Sequence, residues 1–104
     1  MTKIDQGDIV CVERAKVPFL VVSSAFYNTS GMIIVCPIVD SAAPDAMHVP
    51  VKTKLIEGVV LYEQLASVSI SGRGCLVKEH MRGADLLEIV YRVQSIFDYV
   101  PHAE

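Results

Sequence analysis

Apolar residues fall in short blocks along most of this chain, and turn-forming residues close nearly every block. Ile9, Val10, Cys11 and Val12 run together, so residues 9–13 read as a strand. Residues 17–23 read as a second strand, with Pro18 near its start, where a missing N–H is tolerated. Only Arg14, Ala15 and Lys16 separate the two, which predicts a tight hairpin. Asn28-Thr29-Ser30-Gly31 is a polar turn whose glycine can take a positive φ. Met32 to Val39 is apolar throughout and is ended by Asp40 and Ser41. Such a run predicts a strand buried on both faces. One helix cannot cover both, so a second copy of the chain is expected on one of them, with Met32 and Phe26 as interface residues.

The second half is more broken. Residues 42–45 read as a loop, and His48 to Val51 as a short edge strand interrupted by Pro50. Residues 52–57 have the weakest pattern. Residues 58–62 read as a strand, 64–71 as a strand or bridging segment, and Gly72-Arg73-Gly74 as a turn before a last strand at 75–79. Residues 83–99 predict a helix: Leu86, Val90, Val93, Phe97 and Val100 recur at helical spacing, and Leu87, Ile89 and Ile96 widen the stripe. Asp85 and Glu88 lie early in it, where the helix dipole favours negative charge, and Pro101 stops it. Short strands, close turns and one terminal helix predict a single mainly β domain over residues 1–104. Its expected form is a strongly bent sheet or small barrel covered by a C-terminal α-helix.

Composition narrows the class. Apolar residues make up 52% and charged residues 20% of 104, which excludes a disordered or fibrous chain. No apolar run approaches the roughly 20 residues that cross a bilayer, and residues 1–6 are too polar for a signal peptide. A soluble, cytoplasmic protein without a membrane partner is expected. Cys11, Cys36 and Cys75 are odd in number and widely spaced, which predicts buried, reduced thiols. His48, His80 and His102 form no metal-binding spacing, and there is no phosphate-cradling glycine loop, so no metal or cofactor is expected. A net charge of −3 argues against a nucleic-acid partner. The placement of Arg14, Lys16, Lys52, Lys54, Arg73, Lys78 and Arg82 in loops or strand ends still allows a local basic face.

The order of several short matches adds to this. Gly7-Asp8 opens the first strand, and a proline then an apolar run ends at Ser23. Tyr27-Asn28 precedes Ser30-Gly31-Met32, then come Cys36-Pro37-Ile38, Gly58-Val59, Glu63-Gln64-Leu65, Arg73-Gly74 and the amphipathic helix. This order resembles the MazF/PemK family of toxins from bacterial toxin–antitoxin pairs and, more distantly, CcdB. The resemblance implies a bent, SH3-like β barrel. It also implies a homodimer whose groove binds single-stranded RNA or the acidic tail of an antitoxin, and metal-independent endoribonuclease chemistry. A ribose 2′-hydroxyl would attack the adjacent phosphate, helped by proton transfer and charge stabilisation.

The resemblance also implies where that chemistry would sit. The family arginine lies just before the proline that starts the second strand, and here that residue is Val17. The family threonine or serine follows the Cys-Pro-Ile stretch, and here it is Val39. Valine offers no donor, acceptor or charge. Losing an acid–base group costs about 10²–10⁴-fold in rate, and losing a charge-stabilising donor roughly another 10²–10³. The expected protein is therefore a family member with weak or lost ribonuclease activity that keeps a dimer groove for an antitoxin-like peptide or nucleic acid. The alternative is an active, metal-independent endoribonuclease whose site has moved to Arg14 or Lys16 with Ser41. Whether the chain is an enzyme stays open between the two. A one-residue slip flips a strand side chain to the other face, so Lys16 or Ser41 would need a local bulge. Arg14, Lys16, Asp40, Ser41, Gln64 and Arg73 are the expected RNA- or partner-binding residues. The aromatic tail of CcdB-type gyrase poisons has no counterpart, because the chain has no tryptophan and ends Tyr99-Val100-Pro101-His102-Ala103-Glu104.

Overall fold

The computed structural model describes residues 3–40, 48–72, 74–97 and 101, and its elements follow the apolar blocks closely. In chain order they are β1 (Asp8–Val12), β2 (Phe19–Val21), α1 (Ala25–Asn28), β3 (Met32–Val39), β4 (His48–Lys52), β5 (Glu57–Leu61), β6 (Ala66–Ser69), β7 (Cys75–His80) and α2 (Ala84–Ile96). Every strand pairing is antiparallel. The sheet runs β4-β5-β3-β2-β1-β7, with β6 also paired to β3. The long apolar strand is its axis. One edge of β3 holds β2 through residues 35–37. The other holds β6 along Met32–Val35 and then β5 at Ile38–Val39. Serving three neighbours bends the sheet about β3 and gives the barrel-like form.

Each face of this sheet contributes to a core formed within the one chain, while Met32, Ile34, Pro37 and Val39 of β3 stay half-buried. Ile9, Leu20, Cys36, Ile38 and Val60 point to one face and join Ile89 of α2 in the first core. Val10, Val12, Val21, Ile33, Val35 and Val68 point to the other and join Ile4 in a second. The alternation Ile9/Val10, Leu20/Val21 and Val35/Cys36 is the period-two geometry of strands. This changes one expectation. The core on each side of β3 forms without a second copy.

The ends of the sheet are tied by polar groups. Gly7, at φ 95°, donates its N–H to Val21 O at 2.9 Å and accepts from Met81 N at 2.7 Å. A Cβ there would stand 2.5 Å from Met81 O and 2.8 Å from Leu86 Cδ2, so only glycine fits this junction. Across the open side, the Glu79 carboxylate on β7 accepts from the Thr53 hydroxyl and, at 3.2 Å, from the Lys54 N–H. Glu79 thus fastens β7 to the β4–β5 turn, and it partly closes a sheet that has no backbone pairing there.

Several boundaries differ from the sequence reading. β2 is shorter than residues 17–23. Tyr27-Asn28 belongs to a helical turn, whose N-cap Ser24 accepts from Tyr27 N at 3.3 Å. The helix ends at Ile96, with residues 98–100 outside the described set, and its buried centre is Ile89, flanked by Leu86 and Val93. Phe97, expected in the buried stripe, is 68% exposed. Periodicity records which residues are apolar, but not how far the covering sheet extends. Cys36 is buried as expected, whereas Cys11 and Cys75 are half-buried. No described helix is long and apolar enough to cross a membrane.

Candidate functional site

The β1–β2 hairpin turns on Arg14, whose φ of 72° is unusual for a residue with a side chain. Ala15 N donates to Val12 O at 3.0 Å, which closes the turn, and Glu13 N donates to Gly74 O at 2.8 Å. The hairpin is therefore held against the start of β7. Beyond the turn, Pro18 O accepts from Ile38 N at 2.9 Å, and Phe19 stands opposite Pro37. This register brings the start of β2 beside the end of β3. Lys16 and Val17 consequently stand at the same end of the sheet as Val39 and Asp40.

Val39 also pairs with Val59 of β5. A Cβ on Gly58 would lie 2.6 Å from Val39 O, so the β3–β5 approach there requires glycine. Val17 and Val39 are half-buried, while Arg14, Lys16 and Asp40 are exposed. Among the described residues, neither Arg14 nor Lys16 makes an ion pair. The two valines give this end an apolar floor, and the two cations sit on its rim. Such a surface can hold an anion or an extended chain. Neither Val17 nor Val39 can move a proton.

Gln64 is not part of this cluster. It lies in the turn after β5, where its N–H donates to Leu61 O at 3.0 Å and its side chain is exposed. Its neighbour Glu63 instead pairs with His48 Nε2 at 3.4 Å. Ser41 and Arg73 lie outside the described residues. No group of three or more potential metal-ligating side chains occurs among the described residues.

One feature was not foreseen. An open groove of about 910 Å³ runs beside the hairpin, lined by Ile4, Glu13, Asn28, Gly31, Ile70 and Cys75 among others. Asn28, only 7% exposed, shapes its wall. Asn28 Oδ1 accepts from Ser23 Oγ at 2.5 Å, and Nδ2 donates to Ile4 O at 2.9 Å. The sequence showed Asn28 as a turn residue, and its coupling to Ile4 across 24 positions has no local signal. Cys36 is a structural thiol. Burial, with a smaller contribution from the Glu63 charge, pushes it up from 9.0 to about 12, so it is protonated and unreactive at neutral pH.

A family description, "PemK-like, MazF-like toxin of type II toxin-antitoxin system", matches residues 5–97. No curated protein matches the chain significantly. Among solved structures, a MazE–MazF crystal form from Deinococcus radiodurans is 26% identical, spans 92% of this chain and 97% of its own, and superposes with a TM-score of 0.80. MazF from the same organism, 25% identical, spans 93% and 98% with a TM-score of 0.76. An endoribonuclease in complex with its cognate antitoxin from a mycobacterial species is 10% identical over 90% of this chain and 94% of its own, with a TM-score of 0.75. At that identity the likeness concerns the fold alone.

Proposed function

This chain belongs to the PemK-like, MazF-like toxins of type II toxin–antitoxin systems, and from that premise we propose that it binds rather than cuts. In this reading a homodimer presents a groove to an antitoxin-like peptide or to nucleic acid, and ribonuclease chemistry at the family positions is weak or lost. The observation that carries the reading is that Val17 and Val39 stand at the same end of the sheet. The register of β2 and β3 sets the two positions at one end of the sheet, and neither side chain can donate, accept or carry charge. Arg14 and Lys16 on the rim favour an anionic partner. MazF of Deinococcus radiodurans has been crystallised with MazE, and by analogy the partner of this chain is an antitoxin-like protein. Phe26, 88% exposed, supports a homodimer as an unsatisfied apolar surface.

The direct test restores what is missing. Val17→Arg with Val39→Thr should raise cleavage of a long unstructured RNA, in excess EDTA, by about 10²-fold or more. An unmodified protein that already cuts at the speed of the double variant would overturn the reading. A second reading rests on the rim cations, which make no ion pair among the described residues: an active enzyme with a relocated site at Arg14 or Lys16 with Ser41. It requires that the unmodified protein cuts and that Arg14→Ala or Lys16→Ala abolishes cutting.

A further inference from the structure

β6 pairs only with β3 among the described residues, so one of its edges is open. The pairing fixes which of its main-chain groups are used. Val68 stands opposite Ile33 and Ala66 opposite Val35, and Ile70 N donates to Gly31 O at 2.9 Å. Along one side of an antiparallel ladder, bonded positions alternate. Ala66, Val68 and Ile70 therefore turn their N–H and C=O groups to β3, whereas Ser67 and Ser69 turn theirs outward. Such a row is a template for a further strand. From Gln64 to Gly72 the chain has no charge and no proline that would discourage one. Ala66 and Ser67 are exposed and small, so a second backbone can come close.

Apolar surface flanks this edge. Met32 and Ile34, the register partners of Ser69 and Ser67, are half-buried. Ala25 and Asn28 of α1 line one groove together with Ile70 and Ser71, which follow β6 directly. α1 thus stands on the same side of the molecule as the end of β6, and it carries Phe26, 88% exposed. The open edge, Met32 and Phe26 therefore belong to one surface.

We propose that a second copy of this chain adds its own β6 to this edge, antiparallel and about a twofold axis at Val68. The inference rests on the homodimer of the proposed function and names the surface that holds it. The axis sets Ser67 of each copy opposite Ser69 of the other. Each such pair exchanges both of its N–H···O=C bonds, so the sheet continues from one chain into the next. Val68, part of the second core, meets its own copy across the axis. A twofold contact uses each edge once and stops at two chains. The segment suits itself because like charges across a pair of strands repel, and it has none. An acidic peptide, the partner that Arg14 and Lys16 favour, finds no cation between Gln64 and Gly72.

The test is residue-resolved hydrogen exchange on the full chain across a dilution series, with the mass followed by light scattering. In the dimer the Ser67 and Ser69 amides should be protected alongside Val68 and Ile70. Dilution to monomer should free Ser67 and Ser69 while Val68 stays protected by β3. Ser67→Pro removes a donor that the chain's own ladder does not use. It takes one bond from each copy, so the dimer dissociation constant should rise about ten- to a hundredfold, with Val68 still protected in the monomer. A dimer whose Ser67 and Ser69 amides exchange freely would overturn the inference and leave the homodimer standing. So would a dissociation constant unchanged by Ser67→Pro. Protection independent of concentration would mean that another segment of the chain covers the edge, and protection that appears only with an added acidic peptide would mean a different occupant. Each would overturn the inference. A monomer at every concentration would remove the homodimer itself and this contact with it.

Discussion

Cys36 shows how much one residue's surroundings can decide. Its thiol is pushed up to about 12 by burial first and by Glu63 second. The unfolded chain begins to give up this proton near the ordinary value of 9.0, whereas the folded chain holds it until about 12. Its contribution to stability is therefore complete below pH 9 and is lost as the pH rises from 9 to 12. Denaturation midpoints for the unmodified protein should fall across that interval more than those of Cys36→Ala. In native alkylation read by mass spectrometry, Cys11 and Cys75 should label well before Cys36, and equal labelling would contradict the burial argument. The sequence marked all three cysteines as apolar neighbours of apolar residues, which is true of each. Only the fold distinguishes Cys36, under Tyr62 and the first core, from Cys11 and Cys75 at the rim. The two valines are the opposite case. Their chemical emptiness was legible from residue type alone, and the register of β2 and β3 sets them at one end of the sheet.

Among the elements, β3 was the most legible, because eight apolar residues between Gly31 and Asp40 leave little freedom in where a strand begins and ends. The four-residue α1 was not. It depends on the Ser24 cap and on Asn28 reaching back to Ile4, and neither leaves a periodic trace. The contact that fastens the open side of the sheet was equally hidden, since Thr53 and Glu79 are 26 positions apart. Removing it should matter modestly, as the groups are only part-buried. Glu79→Ala should cost about 1–2 kcal/mol in chemical denaturation, at the low end of what a hydrogen bond to a charged group contributes. A double-mutant cycle with Thr53→Ala should show coupling between the two. Hydrogen exchange should quicken at the Lys54 amide while the β2–β3 amides stay protected. Additive losses would mean that the two sides of the sheet hold together without this contact.

At the scale of the molecule, the question is what covers the surfaces the fold leaves apolar. Both cores close within the chain, so a second copy is not needed to give β3 a core on each side. Yet Phe26, Leu87, Tyr91 and Phe97 are 88%, 58%, 61% and 68% exposed. Leu87 and Tyr91 are one helical turn apart on the side of α2 away from the sheet, so the helix is apolar beyond what its own core uses. Light scattering after size exclusion should give the mass of a dimer. Phe26→Asp should shift it toward monomer without lowering the thermal midpoint of the monomer. A native monomer for the unmodified protein would remove the dimer from the proposed function. The sequence named Met32 and Phe26 as interface residues, and Phe26 is left uncovered as that expects, whereas Leu87 and Phe97, expected in the buried stripe of the helix, are exposed as well. The difference arises because hydrophobic pattern cannot show which apolar residues the chain will cover by itself.

A sheet that stays open has a further consequence, for behaviour at high concentration. β4 and β7 lie at the two ends of the strand path, and β6 pairs only with β3 among the described residues; unpaired strands can template the stacking of further chains into fibrils. The two ends of the path each carry an interruption. Pro50 has no N–H to offer in β4, and the register shift opposite Ile9 and Val10 breaks the regular outline of β7, where Lys78 adds a charge. A flat, continuous edge is what growing fibrils extend from, and neither end provides one. Pro50 and the bulge at Lys78 thus protect a half-closed barrel against aggregation, a task that full closure would have made unnecessary.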